Sequence, residues 1–310
     1  MSQCIALMTE AMQAASDCRI AVPQRLIAPL IDSSGFITLM PGSTLQPRIY
    51  GAKVIGVHPT NPDRGLPGHQ GFVALFDHDT GTPVAIIDGT QVTTTRTAAA
   101  SALATRTLAR PDAKTHGVFG AGMQAEAHVE AINAVRAIER VTIWARVQAK
   151  AESLAEKLRE LHSCQIRVTT DPSEAAACDV VTTVTGAHEP VVRGEWLKPG
   201  AHLNLVGAHS PKTREIDDEV VRRSTIYVDL MRSALNEAGD LLIPMQSGVI
   251  CARDIVGEIG QVLAGTVAGR KHAAQITLYK SLGIFAQDLI AAAHVYQVAC
   301  KQNVGSSVEM

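Results

Sequence analysis

The residues with the plainest chemical purpose are Gly120, Gly122 and the small Ala125, in Gly117-Val118-Phe119-Gly120-Ala121-Gly122-Met123-Gln124-Ala125. His116 to Phe119 is an apolar run that reads as a buried strand stopping at a glycine pair. Met123 to Ile138 reads as a helix, because Ala127, Ala131, Val135 and Ile138 recur at helical steps. Strand, glycine turn and helix together make a seat for a pyrophosphate. The first glycine permits the sharp turn, the second lets the backbone approach the phosphates, and the small third residue lets helix and strand pack closely. Negative charge then meets the free N–H groups of the helix start, at Met123 and Gln124. Tight turns use glycine for other reasons too. Here, however, a second strand, Val141–Trp144, ends where the ribose-reading residue is expected, about 20 residues on. That place holds Ala145 followed by Arg146 instead of an acid. An acid repels a 2′-phosphate and Arg pairs with it, so NADP(H) is expected in preference to NAD(H). The plainer alternative is that Arg146 is a solvated helix-start residue.

A second set of candidates is cationic and scattered. Arg25 and Lys53 lie within apolar, strand-like segments, and Arg96 lies in Thr93-Thr94-Thr95-Arg96-Thr97 at an expected helix start. A lone Arg or Lys in such a place most often snorkels its charge to the surface. Three cations from separate segments can equally converge on a carboxylate, which Arg grips in bidentate fashion. Sequence alone leaves both readings open. Eleven histidines are present, none in a ligand-spaced pair such as H-E-x-x-H, so no metal site is expected.

Composition narrows the setting. With 310 residues, 46% hydrophobic and 19% charged, the chain reads as a soluble globular protein long enough for two domains. A formal charge of −2 gives no reason to expect nucleic acid or an anionic membrane surface. Six cysteines without a C-x-x-C pair suggest free thiols in a reducing compartment. No apolar segment approaches a membrane span, and the N-terminus lacks the pattern of a signal peptide. A cytoplasmic location is expected.

These residues need elements to hold them. Ile5, Met8, Met12 and Ala15 share one helical face. Gln24–Ile31, Thr38–Gly42 and Tyr50–Val57 give strand and turn signals, residues 59–71 read as loop, and Phe72–Phe76 with Pro83–Ile87 as a hairpin. Short strands without helices between them suggest an antiparallel or mixed sheet. Thr97–Leu108 is alanine-rich and helical, and Arg110-Pro111-Asp112 ends it. From Thr115 onward strands and helices alternate, as a parallel sheet covered by helices requires: Val141–Trp144, Gln165–Val168, Val180–Val184, His202–Val206 and Ile226–Val228 are strands, and Gln148–Leu161 is a helix. Val256–Gly260 is expected to start a short helix. Thr277–Gln297 is expected to form a long one, with Leu278, Leu282, Phe285, Leu289 and Ala293 in register. The expected fold is α/β. A Rossmann-type doubly wound sheet of residues 112–277 is inserted into a mixed α+β substrate and dimerisation domain of residues 1–111 plus 278–310.

Over nearly its whole length the chain resembles the ornithine cyclodeaminase/mu-crystallin family. The likeness is carried by Val22-Pro23-Gln24-Arg25, Leu39-Met40-Pro41, Ala52-Lys53-Val54, Pro59-Thr60-Asn61-Pro62 and Thr80-Gly81-Thr82-Pro83. It continues through Thr95-Arg96-Thr97-Ala98-Ala99, the Gly120–Ala125 turn, Ile143-Trp144-Ala145-Arg146, Tyr227-Val228-Asp229 and Lys280-Ser281-Leu282-Gly283. The resemblance implies that Arg25, Lys53 and Arg96 line the substrate carboxylate and that Asp229 is the catalytic acid or base. Without it, Asp229 reads as a strand-end residue capping a turn. Lys53 is the next candidate for proton exchange, since burial lowers a lysine pKa. Cofactor contacts are implied at Arg96, Thr97, Val184 and Ser281 beside Gly120, Gly122, Met123, Gln124, Ala145 and Arg146. A homodimer through the first-third sheet is also implied, covering its open edges. Relatives are expected to carry an additional strand and helix before the segment where this chain begins.

The implied activity is NADPH-dependent reduction of cyclic ketimines such as Δ1-pyrroline-2-carboxylate and Δ1-piperideine-2-carboxylate, giving L-proline and L-pipecolate. Hydride transfer to an imine carbon needs a protonated nitrogen and a carboxylate held still. The same resemblance admits an ornithine or lysine cyclodeaminase, an alanine-type dehydrogenase, and a mu-crystallin-like ligand-binding protein without turnover. A cyclodeaminase recycles bound NAD within one turnover and gains nothing from NADP selectivity, so Arg146 weighs against it. Arg25, Lys53, Arg96 and Asp229 weigh against lost turnover.

Overall fold

Alternating apolar residues in the first third pair six short strands edge to edge. In the computed structural model, which describes residues 1–308, they are β1 (Ile20–Ala21), β2 (Leu26–Pro29), β3 (Phe36–Leu45), β4 (Arg48–Val57), β5 (His69–Asp77) and β6 (Pro83–Asp88). All pairings are antiparallel, in the order β1-β3-β4-β5-β6 with β2 also on β3. Successive side chains alternate between faces. Met40, Lys53 and Val73, paired across β3, β4 and β5, are buried on the inner face. That face is covered by helix α1 (Ser2–Ser16), helix α2 (Gly89–Leu108) and the C-terminal helix Phe285–Gln302, which pack on one another. The outer face is apolar and open, with Ile37, Phe72 and Ile86 exposed.

Helix α2 starts eight residues before the expected Thr97. Gly89 and the β-branched run Thr93–Thr95 have low helix propensity and masked its first two turns. A side-chain cap compensates, with Gln91 N–H donating to Asp88 Oδ1 at 2.7 Å. Arg96 therefore sits inside the helix and not at its start.

The second sheet holds β7 (Thr115–Phe119), β8 (Arg140–Trp144), β9 (Gln165–Val168), β10 (Val180–Thr183), β11 (His202–Leu205), β12 (Ser224–Val228), β13 (Ile255–Glu258) and β14 (Ile276–Lys280). Every pairing is parallel, in the order β13-β12-β14-β11-β10-β7-β8-β9. Strands β10, β11 and β14 are buried along their whole length, as expected where helices cover both faces. Helix α3 (Met123–Asn133) follows β7 and helix α4 (Gln148–Leu161) follows β8.

Three expectations are corrected. Ile276–Lys280 is a central strand and not the start of the long helix, which runs from Phe285 to Gln302 after a turn at Gly283 (φ +75°). That strand straddles the expected boundary at 277/278. Ile255–Glu258 is likewise a strand, with a helix only from Ile259, and α3 ends at Asn133, short of Ile138. Among the described residues no helix is long and apolar enough to cross a membrane.

Candidate active site

The parallel sheet delivers its glycine turn at the C-terminal end of β7. Strands β8 and β10 flank β7; the chain runs outward from β7 through β8 to β9 and then crosses back to β10 on the other side, which makes the β7/β10 boundary the switch point at which such sheets bind ligands. Gly120 has φ +121°, and a Cβ there would lie 2.9 Å from the Val184 carbonyl oxygen. Only glycine lets β7 turn this close to the end of β10. Gly122 is the N-cap of α3 and has open space around it. The first N–H groups of α3, including Met123 and Gln124, have no partner within the helix. Gly120, Gly122, Met123 and Gln124 thus form a main-chain cradle at the end of β7, with Val184 against Gly120. Ala145 and exposed Arg146 lie between β8 and α4. An open groove of about 390 Å³ lined by Gly122, Met123, Lys150 and Lys157 lies between α3 and α4.

The other wall is built from charge. Lys53 points inward from β4, and its Nζ donates to Asp288 Oδ1 at 2.7 Å and to Thr93 Oγ1 at 3.4 Å. Arg96 Nε donates to the same Asp288 oxygen at 3.0 Å, and its Nη1 donates to Gln287 Oε1 at 2.6 Å. All three ionic side chains are buried. Burial pushes the Lys53 ammonium down to about 7, with Arg96 and Arg25 adding to it and Asp288 opposing. Burial would raise the Asp288 carboxyl, but Arg96 and Lys53 outweigh it and hold the group below its usual range.

Arg25 and Asp229 meet on the turn that joins β14 to the C-terminal helix. Arg25 Nη2 donates to the carbonyls of Leu282 (3.0 Å) and Gly283 (2.7 Å), and its Nε lies 2.8 Å from Glu237 Oε2. Asp229, at the end of β12, accepts from Leu230, Leu282 and Gly283 N–H, each at 2.8 Å. Burial pushes its carboxyl up, against those three N–H donors and Arg25. A Cβ on Gly283 would stand 2.5 Å from Arg96 Nη1, so the turn also touches the charge cluster. Ser281 is buried on it with Oγ unpartnered among the described residues, whereas the Thr97 hydroxyl donates within α2 to Thr93 O at 2.6 Å.

Asp288, Gln287 and Glu237 escaped the sequence reading. The available signal was an acid and an amide inside the apolar stretch Ile284–Ala293, obscured by the wrong helix start. A second buried cluster escaped too. Lys280 Nζ donates to Asp240 Oδ2 (2.8 Å) and Ala208 O (2.5 Å), while Glu215 accepts from Thr183, Thr185, Gly207 and Ala208. It pins the loops after β10 and β11, beside the cradle.

The profile of the ornithine cyclodeaminase/mu-crystallin family matches residues 1–303. The chain belongs to that family. Among its members, ketimine reductase mu-crystallin of Mus musculus is 37% identical over 281 residues, 90% of this chain and 86% of the relative. The solved structure of Thermococcus litoralis Delta(1)-pyrroline-2-carboxylate reductase in complex with NADH and L-proline superposes with a TM-score of 0.97 at 36% identity, covering 99% of this chain and 96% of that one. An archaeal alanine dehydrogenase dimer with bound NAD gives 0.94 at 31% identity, covering 100% and 95%.

Proposed function

We propose that this protein reduces cyclic imino acids with a nicotinamide dinucleotide. The observation that carries the reading is the Ser281–Ile284 turn, which binds Arg25 and Asp229 and abuts Arg96, and which leaves β14 at the same C-terminal edge of the parallel sheet as the glycine turn after β7. The parallel-sheet half seats the dinucleotide, and the antiparallel sheet with α1, α2 and the C-terminal helix seats the imino acid. Reduced nicotinamide supplies the hydride. Lys53 and Arg96 hold the substrate carboxylate, Arg25 fixes the turn beneath it, and Asp229 exchanges the proton of the imine nitrogen as charge moves. The names of the mouse and Thermococcus relatives support a cyclic ketimine as substrate.

Arg146 favours NADPH over NADH by pairing with a 2′-phosphate. The apolar outer face bearing Ile37, Phe72 and Ile86 favours a homodimer through the antiparallel sheet. All six cysteines are unpaired, which suits a reducing, cytoplasmic setting. A second reading, alanine dehydrogenase, draws on the archaeal neighbour. The deciding experiment follows NADPH and NADH oxidation with the five- and six-membered cyclic ketimines and with pyruvate plus ammonia, assaying ornithine in parallel for ammonia release. Turnover of ornithine with no ketimine reduction would sink the reductase reading.

A further inference from the structure

Behind the two cations of the substrate wall sits a carboxylate that no motif singled out. Asp288 Oδ1 accepts from both Lys53 and Arg96, and Oδ2 is buried without a partner among the described residues. Gln287, its neighbour on the same helical turn, accepts from Arg96 as well. Two adjacent residues of the C-terminal helix thus fix cations that come from β4 and from α2. We propose that Asp288 is the positioning residue of the carboxylate subsite, setting Lys53 and Arg96 in one geometry and balancing one of their two charges so that the subsite takes a single carboxylate. The proposal rests on the reading of Lys53 and Arg96 as carboxylate ligands.

The physical argument is that like charges buried side by side do not both persist unaided. An ammonium without a counter-ion in an apolar site loses its proton. The groups that face Lys53 are Arg96 on α2, Arg25 on the segment between β1 and β2, His69 on β5 and Asp288 on the C-terminal helix, of which Asp288 is the anion. With Asp288 in place the pair carries one net positive charge. Without it, Arg96 lies unopposed beside Lys53 and the lysine proton is held less well.

The test is the pH dependence of KM for Δ1-pyrroline-2-carboxylate in wild type and in Asp288→Asn, which keeps shape and removes charge. The variant should raise KM about tenfold or more at neutral pH, and the pH at which KM begins to climb should fall by about one unit or more, with kcat less affected. A KM that is unchanged, or raised by one factor across the whole pH range, assigns Asp288 to packing and overturns the proposal. Should Asp288→Asn fail to fold, Asp288→Glu decides, because its longer side chain displaces both cations. A rise in KM with kcat retained supports the proposal, and an unchanged KM overturns it. A wild type that reduces no cyclic imino acid counts against the functional reading alone. The stabilisation given by L-proline, followed against pH by thermal melting, then decides on Asp288. Stabilisation lost at lower pH in Asp288→Asn supports its role, whereas identical profiles, or no stabilisation of the wild type at any pH, overturn it.

Discussion

The two halves of the molecule differ in what they present to a ligand. The parallel-sheet side presents main chain, within the nine residues from Gly117 to Ala125. The antiparallel side presents charge, the buried Lys53, Arg96 and Asp288 with the half-buried Arg25, which lie far apart in the chain. A main-chain cradle is indifferent to side-chain chemistry and intolerant of added atoms. A charge cluster tolerates added atoms better than a lost proton.

Acid should separate the walls most. The fully buried histidines among the described residues, His116 on β7, His128 on α3 and His202 on β11, all lie on the parallel-sheet side. Burial pushes them down to about 3, 4 and 3 respectively. The unfolded chain takes up their protons below about pH 6.5, where the folded chain does not. Stability should therefore be fully present above pH 6.5 and fall as pH drops toward 4, on the order of 1.4 kcal/mol per histidine per pH unit. Hydrogen exchange should show β7 and β11 losing protection before β4 and β5, and the reverse order would break the asymmetry.

On the charge side, Asp229→Ala should lower kcat about 10²-fold or more if its carboxyl moves the proton. The turn it caps also loses the acceptor of its Leu282 and Gly283 N–H groups, so KM for the imino acid should rise while nucleotide affinity stays put. Near-normal kcat across pH would return Asp229 to strand-end capping and pass the proton to Lys53. Gly120→Ala is the converse probe. With φ +121° and the Val184 oxygen 2.9 Å from the new Cβ, nucleotide affinity should drop while the imino-acid KM holds. The strain amounts to about 1–3 kcal/mol, measurable by calorimetry and melting. Weakening of both ligands alike would show that the walls are not separable. The smallest effect is expected for Arg146→Asp, with KM for NADPH rising about tenfold and KM for NADH much less. Equal changes would leave Arg146 as a solvated residue.

The same contrast explains what was legible in the sequence. The cradle is local, so glycine spacing and strand–helix alternation revealed it without tertiary knowledge. Arg25 and Lys53 were conspicuous because a cation in an apolar strand demands a reason. The convergence of Lys53 with Arg96 was not visible, since Asp288 supplies the link from the far end of the chain. Strand β14 was misread as helix because Leu278, Leu282, Phe285, Leu289 and Ala293 fall at helical spacing across a strand and a turn. A strand buried on both faces shows no alternation to contradict that. Helix α2 was shortened because threonines hide helices that packing and a cap enforce.

The Ser281–Ile284 turn has a mechanical side. The chain passes between the two sheets there and again between α2 and β7. At the second passage Arg136 donates to the carbonyls of Thr105, Arg106, Ala109 and Arg110. At the first, Arg25 and Asp229 clasp the backbone. Between these two connectors the halves are also packed together, through α2 on α3 and a hydrophobic core continuous across both sheets. Loss of Arg25 or Asp229 should therefore loosen the turn itself, read as faster hydrogen exchange at Leu282 and Gly283, while the two sheets stay packed.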